Sequence, residues 1–255
     1  MTRYMTAISR KSHDAMKTIY LYPITLIPAL VWSCAESGLD FEKETLTTFQ
    51  LNSLSNKFKV SDFLGGDVPE KLQKSMLRII NNEFGNIVLR KVKAKYSDPV
   101  FTRFRPLLDE NGKIRKTPAM FLIGGNEILY TSDALIKDAL LFHEFFHLHQ
   151  NPKGIVVKSR NNEVEAYVAQ YLYGKWESTI SKQFDDAIRY MASRIDKRTG
   201  YFKEGTDLAE IQKNYNIALD CLKIHPVYYG GGWFTNVNFD KNNPFPNILN
   251  LYRKN

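Results

Sequence analysis

The sequence predicts an α+β fold in which a small mixed sheet packs on one buried helix and the C-terminal half is helical. Three observations carry this prediction. Residues from about Asn86 to Tyr130 read as strand-rich, with turn signals at Asp109-Glu110-Asn111-Gly112 and a hairpin signal at Gly124-Gly125-Asn126. Ile136, Ala139, Leu140, His143 and His147 then fall on one stripe at helical spacing. Beyond them helical periodicity continues through Leu172, Ile180, Phe184 and Ile188, and again from about Asp207 to Lys223. The chain has 255 residues and 44% apolar composition, enough for one sizeable core, and shows no internal repeat or low-complexity tract.

Taken in order, the N-terminus reads as an address. Met16-Lys17 precedes an apolar run from Thr18 to Val31 that is too short to span a membrane and is interrupted by Pro23 and Pro28. It ends at Ser33-Cys34, which resembles a bacterial lipoprotein signal with Cys34 as the lipidated residue. On that reading residues 1–33 are a signal peptide, with Met16 as the true start, and the mature protein is anchored in the cell envelope, at the outer membrane. The competing reading makes the apolar run a buried first element of a cytosolic protein. Residues 34–60, with Glu36, Asp40, Glu42 and Glu44, form a tether and N-terminal elaboration, and residues 61–255 form the main domain.

Losing residues 1–33 removes Arg3, Arg10, Lys11 and Lys17 against Asp14, so the formal charge falls from +8 to a mild +5. No nucleic-acid motif accompanies this charge. Lys91, Lys93 and Lys95 alternate with Val92, Ala94 and Tyr96 as on the wet face of a half-buried strand. After acylation of Cys34 only Cys221 remains, a core residue on the pattern Ala218, Cys221, Leu222. A first helix follows Asp67, with Leu72, Met76, Ile79 and Ile80 on its apolar side.

The chemistry is concentrated in His143-Glu144-Phe145-Phe146-His147. On a helix, residues i and i+4 lie about 40° apart, so both imidazoles can reach one metal ion, and Glu144 sits about 100° round, beside the metal. Zinc in such a site lowers the pKa of water from about 16 towards 7, and a neighbouring carboxylate can take the proton. The bland alternative is a satisfied pair of core histidines, but burying two histidines and a glutamate among Leu and Phe is costly without a metal. Thr131-Ser132-Asp133 reads as the helix cap and Asn151-Pro152 as its stop. His149 points about 200° away from His147 and is left out of the ligand set.

A third ligand is expected downstream, in Asn161-Asn162-Glu163-Val164-Glu165-Ala166-Tyr167. With Asn162 as N-cap, Glu165 falls at the third helical position and closes a capping box, leaving Glu163 free to face the metal; Glu165 and His225 remain as alternatives. The histidine motif followed by Glu163-Val164-Glu165-Ala166 resembles the zincin metallopeptidases, whose third ligand is the first Glu of such a signature. That resemblance implies a zincin-like fold, a bound Zn²⁺ and hydrolysis of peptide bonds in a peptide or protein substrate held by an edge strand. Where several such families place Asp or Asn after the Ala, this chain has Tyr167, so a polar partner for the site is missing or comes from elsewhere. The lipoprotein signal together with HEFFHLHQ resembles the zinc-metallohydrolase lipoproteins of Bacteroidetes, which carry one more residue before the following His-Gln.

The tail segment from His225 to Trp233 combines donors with three glycines, as a substrate loop does, or as a surface turn with an aromatic plug does. In the first case His225, Tyr228 or Tyr229 can donate to the oxyanion of a tetrahedral intermediate. Two further function classes stay open from sequence. One is a zinc-binding lipoprotein that uses the scaffold without turnover, motivated by Tyr167. The other is a cytosolic protease that cleaves a repressor, which requires residues 1–33 to belong to the fold.

Overall fold

The computed structural model describes residues 58–106, 108, 111–113, 120–123, 127–130, 137–153, 155, 157–174, 178, 180–226, 228–229, 235 and 244–253. The expected signal peptide, Cys34 and nearly all of the tether lie outside these residues. So do the Gly124-Gly125-Asn126 turn, the Thr131-Ser132-Asp133 cap, Ile136 and the run Gly230 to Trp233.

Helix α1 (Glu70–Asn81) forms where expected, burying Leu72, Met76, Ile79 and Ile80. The next element corrects the strand expected around Lys91, Lys93 and Lys95: it is helix α2, Glu83–Lys95. Six alternating residues at its end mimic a strand, but the longer pattern is Phe84, Val88, Leu89 and Val92, all buried at helical spacing. Asn82 supplies the start signal, its side chain accepting from the Gly85 amide at 2.9 Å. Gly85 is required by contact: a Cβ there would lie 2.5 Å from the Ile79 carbonyl oxygen, so only glycine lets α2 begin this close to the end of α1.

Strands β1 (Arg103–Pro106), β2 (Met120–Ile123) and β3 (Glu127–Tyr130) make a sheet ordered β1-β3-β2. β1 runs parallel to β3, with Phe104 opposite Ile128, and β2 runs antiparallel to it, with Leu122 opposite Ile128. The small mixed sheet is thus present, and shorter than the sequence suggested because residues 86–95 of the expected strand region belong to α2.

Helix α3 (Asp138–Gln150) is the centre of the core, with Leu140, Leu141, Phe142, Phe145 and Phe146 almost wholly buried. A helix apolar on nearly every side has to be wrapped by others. α1, α2 and β2 pack on it, and so does α4 (Arg160–Gly174). Phe63 and Phe101 meet Phe145 edge-on, and Phe142 stacks on Tyr173 of α4 at 4.5 Å between centroids. The Tyr173 hydroxyl donates to Asp138 at 2.9 Å, which ties the start of α3 to the end of α4. Behind α4 lie α5 (Lys182–Ser193), α6 (Leu208–Ile224, capped by Asp207) and the short α7 (Pro246–Asn250), so the C-terminal half is helical. Cys221 is buried.

Two helix starts differ from expectation. α3 begins at Asp138 after Lys137, which makes no side-chain capping bond; its C-cap is Asn151, followed by Pro152 as expected. α4 begins at Arg160, so Asn162 is not its N-cap. Ser159 takes that place: its hydroxyl accepts from the Asn162 amide at 3.4 Å and its carbonyl from the Glu163 amide at 3.1 Å. Glu163 is therefore fourth in the helix and Glu165 sixth, too deep for a capping box.

Candidate metal centre

One turn of α3 sets the His143 and His147 rings edge to face with centroids 4.6 Å apart and their Nε2 atoms 3.0 Å apart. α4 crosses beside them and inserts Glu163, whose Oε1 lies 3.2 Å from His147 Nε2 and Oε2 3.4 Å from His143 Nε2. His143, His147 and Glu163 thus form a group whose ligand atoms all lie within 4.8 Å of one another, close enough to hold a metal ion. Ligands at about 2.0–2.1 Å in tetrahedral arrangement stand roughly 3.3 Å apart, which is the spacing seen here.

The hydrogen bonds behind the rings fit a metal as well. Gln150 Nε2 donates to the Asn162 carbonyl at 2.9 Å and to Glu165 Oε2 at 3.2 Å, so its Oε1 must be the atom 2.8 Å from His147 Nδ1. Gln170 Oε1 stands 2.7 Å from His143 Nδ1. Amide oxygens only accept, so in these orientations both Nδ1 atoms carry protons, and the Nε2 atoms face Glu163, where a cation would take their lone pairs. Without a cation, one proton has to sit among the three ligand atoms. Burial lowers His147, but the charge and hydrogen bond of Glu163, and Glu144 behind it, outweigh burial and hold it up at about 9. His143 is lowered, by burial first and then by the charge of His147. Burial raises Glu163, yet the charge of His147 and hydrogen bonds from both rings overcome it and hold the carboxyl well below the usual range. Glu144, buried beside them, is pushed up to about 8 by burial and by Glu163, against the opposing charge of His147.

Gln150 and Gln170 escaped the sequence reading. Their signal was positional: Gln150 follows His147 by three residues, and Gln170 follows Glu163 by seven, on the same stripe of α4 as Ala166 and Tyr167. Gln170 supplies the polar partner that Tyr167 does not. Tyr167 instead packs on His143, 4.8 Å between ring centroids, with its hydroxyl 3.1 Å from that of Tyr228. Replacing Gln170 by Leu is expected to weaken metal binding about 10- to 100-fold while the helical circular dichroism is kept, as measured by competition with a chelator.

Of the three tail candidates, the structure brings only Tyr228 to the ligands. Tyr228 is 2% exposed and donates to Glu163 Oε2 at 3.3 Å, and its carbonyl is held by Arg160 through Nη2 at 2.7 Å and Nε at 3.2 Å. Tyr229 is 74% exposed. His225 caps the end of α6, half-buried, its ring 5.7 Å from that of Tyr228. Tyr228 therefore orients the Glu163 carboxylate. His149 turns away as expected and donates from Nε2 to the Asn247 carbonyl at 2.9 Å.

Glu165 has a structural task other than the expected capping box. It accepts from the Asn247 amide at 2.7 Å, the Ile248 amide at 2.9 Å and Asn247 Nδ2 at 2.6 Å, so it caps α7 instead of α4. Burial raises its pKa, against the pull of these donors.

No family model, curated protein or solved structure matches the chain. The reading of the centre therefore rests on its own geometry.

Proposed function

We propose that this chain is a zinc-dependent peptide hydrolase with a zincin-like site, anchored to the bacterial envelope through Cys34. The observation that carries the reading is the convergence of Glu163 on two Nε2 atoms whose Nδ1 partners are both glutamine oxygens. Two imidazoles and one carboxylate are a donor set of catalytic zinc, leaving one position for water or substrate. When bound, zinc supplies the Lewis acidity that activates water and polarises a carbonyl oxygen. His143, His147 and Glu163 would hold it, with Gln150 and Gln170 on their Nδ1 atoms and Tyr228 orienting Glu163. Glu144 is the general base: it takes the proton of the attacking water and delivers it to the leaving amine. Among the described residues β1 and β2 are the outer strands of the sheet, and an outer strand is where an extended peptide pairs, which fits a peptide as substrate. The lipid anchor is supported by the sequence from Met16 to Cys34 alone.

Burial of Glu144, His143 and Glu163 favours a second reading, a zinc-binding lipoprotein without turnover. One experiment separates the two. Glu144→Gln is expected to keep zinc at wild-type stoichiometry and to lower peptide cleavage by more than about 100-fold, the scale of a general base. Full cleavage by that variant with zinc retained would overturn the mechanism, and zinc with no cleavage of any peptide library by the wild type would establish the second reading.

A further inference from the structure

The face of α4 that carries Glu163 carries two more residues of the centre. Arg160, Glu163 and Tyr167 stand at i, i+3 and i+7, a spacing that puts them on one stripe of the helix. Arg160, one turn before the ligand, holds the Tyr228 carbonyl through Nη2 at 2.7 Å and Nε at 3.2 Å. Tyr167, one turn beyond it, has its ring fixed from two sides. It lies 4.8 Å from His143 of α3 and meets Phe184 of α5 edge-on at 5.0 Å between centroids. Both tyrosines are buried, and their hydroxyl oxygens are 3.1 Å apart.

The direction of that contact follows from counting protons. A phenol has one proton, and a carboxylate oxygen only accepts. Tyr228 places its proton on Glu163 Oε2 at 3.3 Å, so across the 3.1 Å contact the donor is Tyr167. Donation therefore runs from Tyr167 to Tyr228 to Glu163. A hydroxyl that accepts one hydrogen bond donates the next more strongly, above all in a low-dielectric interior. Phenylalanine would pack on His143 and Phe184 with the same ring, so the hydroxyl is what tyrosine adds at this position.

Both oxygens of Glu163 face the imidazoles, Oε1 at 3.2 Å from His147 and Oε2 at 3.4 Å from His143. A carboxylate can give a metal ion one oxygen or two, and a second would take up the position that catalytic zinc keeps for water. We infer that Tyr167 is a positioning residue that, acting through Tyr228, reserves Glu163 Oε2 and leaves Oε1 as the single oxygen offered to the ion. Gln170 serves His143 directly, whereas Tyr167 serves Glu163 at one remove. The inference rests on the metal centre proposed above and adds what keeps its fourth position open.

The test uses the full chain, wild type, Y167F, Y228F and Y167F/Y228F, with thermal midpoints checked first. Zinc affinity is read by competition with a chelator, and coordination by the visible absorption of the cobalt-loaded chain, which is strong in four-coordinate sites and weak at higher coordination number. Y228F is expected to lower zinc affinity about tenfold at full stoichiometry, Y167F by less, and the double variant by no more than Y228F. Both single variants should lose at least about half of the cobalt absorption as a second Glu163 oxygen enters. Wild-type affinity in Y167F, an unchanged cobalt spectrum, or losses that multiply in the double variant overturn the inference while leaving the metal centre in place. A wild-type chain that takes up neither metal overturns the centre and the inference with it. Should Y167F fail to fold, Y167M, which also lacks the donor, is read by the same criteria.

Discussion

A Glu163→Ala chain is expected to lose its zinc, falling from about one ion per chain to near none after dialysis against a weak chelator, as read by elemental mass spectrometry. The magnitude follows from what the carboxylate does. It approaches both imidazoles, at 3.2 and 3.4 Å, and is the only acidic group in the cluster of candidate ligands among the described residues. Removing the groups behind a ligand already costs about 10- to 100-fold in affinity, so removing a ligand should cost more than about 100-fold. His143→Ala should behave alike. Two imidazoles would remain in the first variant and one imidazole with a carboxylate in the second, neither enough to hold zinc against a chelator. Tyr228→Phe provides the contrast: it removes a hydrogen bond to Glu163 without removing a ligand, so zinc should stay at full stoichiometry. Zinc retained without Glu163 would move the third ligand to another group and withdraw the proposed site.

The sequence made the site's local half legible. His143, Glu144 and His147 sit within two turns of one helix, where spacing alone decides which side chains share a face. Glu163 is less directly legible, since the sequence offers Asn162 as the helix start and Ser159 supplies the cap. Both Ser and Asn serve that role, and nothing local chose between them. Glu163 nevertheless faces α3, because its position relative to Ala166, Tyr167 and Gln170 sets its face wherever the first turn begins. What stayed hidden depends on tertiary contacts: the Gln150 bridge to Asn162, the grip of Arg160 on the Tyr228 carbonyl, and the choice of Tyr228 over its neighbour Tyr229. Loop residues carry no periodicity from which a direction can be read. α2 was misread for the opposite reason, a local pattern of lysines that matched a strand while Phe84, Val88, Leu89 and Val92 set the true period. The same misreading hid the shared face of Lys91 and Lys95.

Glu165→Ala is expected to be the most destabilising single substitution around the centre although Glu165 is no ligand. Its carboxylate is 2% exposed and collects four hydrogen bonds, three from Asn247 and Ile248 and one from Gln150. α7 begins with Pro246, which has no amide hydrogen, so the Asn247 and Ile248 amides are the first donors of that helix and Glu165 satisfies both. Alanine would leave these donors buried and open a cavity between α4 and α7. Each buried donor left unpaired costs about 1–3 kcal/mol, so losing the carboxylate from several of them costs about 3–5 kcal/mol in all, which for a domain of this size lowers the thermal midpoint by roughly 10 °C. Glu165→Gln keeps the volume and one acceptor but sets an amide NH2 against other donors, so its loss should fall between alanine and wild type. The substitution also frees the Gln150 amide, whose orientation fixes the proton on His147 Nδ1, so zinc affinity should fall together with stability. A double substitution with Gln150→Leu tests that link. If Glu165 acts on the metal through Gln150, the two losses of zinc affinity will not add; if they add, the capping of α7 and the orientation of His147 are independent tasks of separate residues.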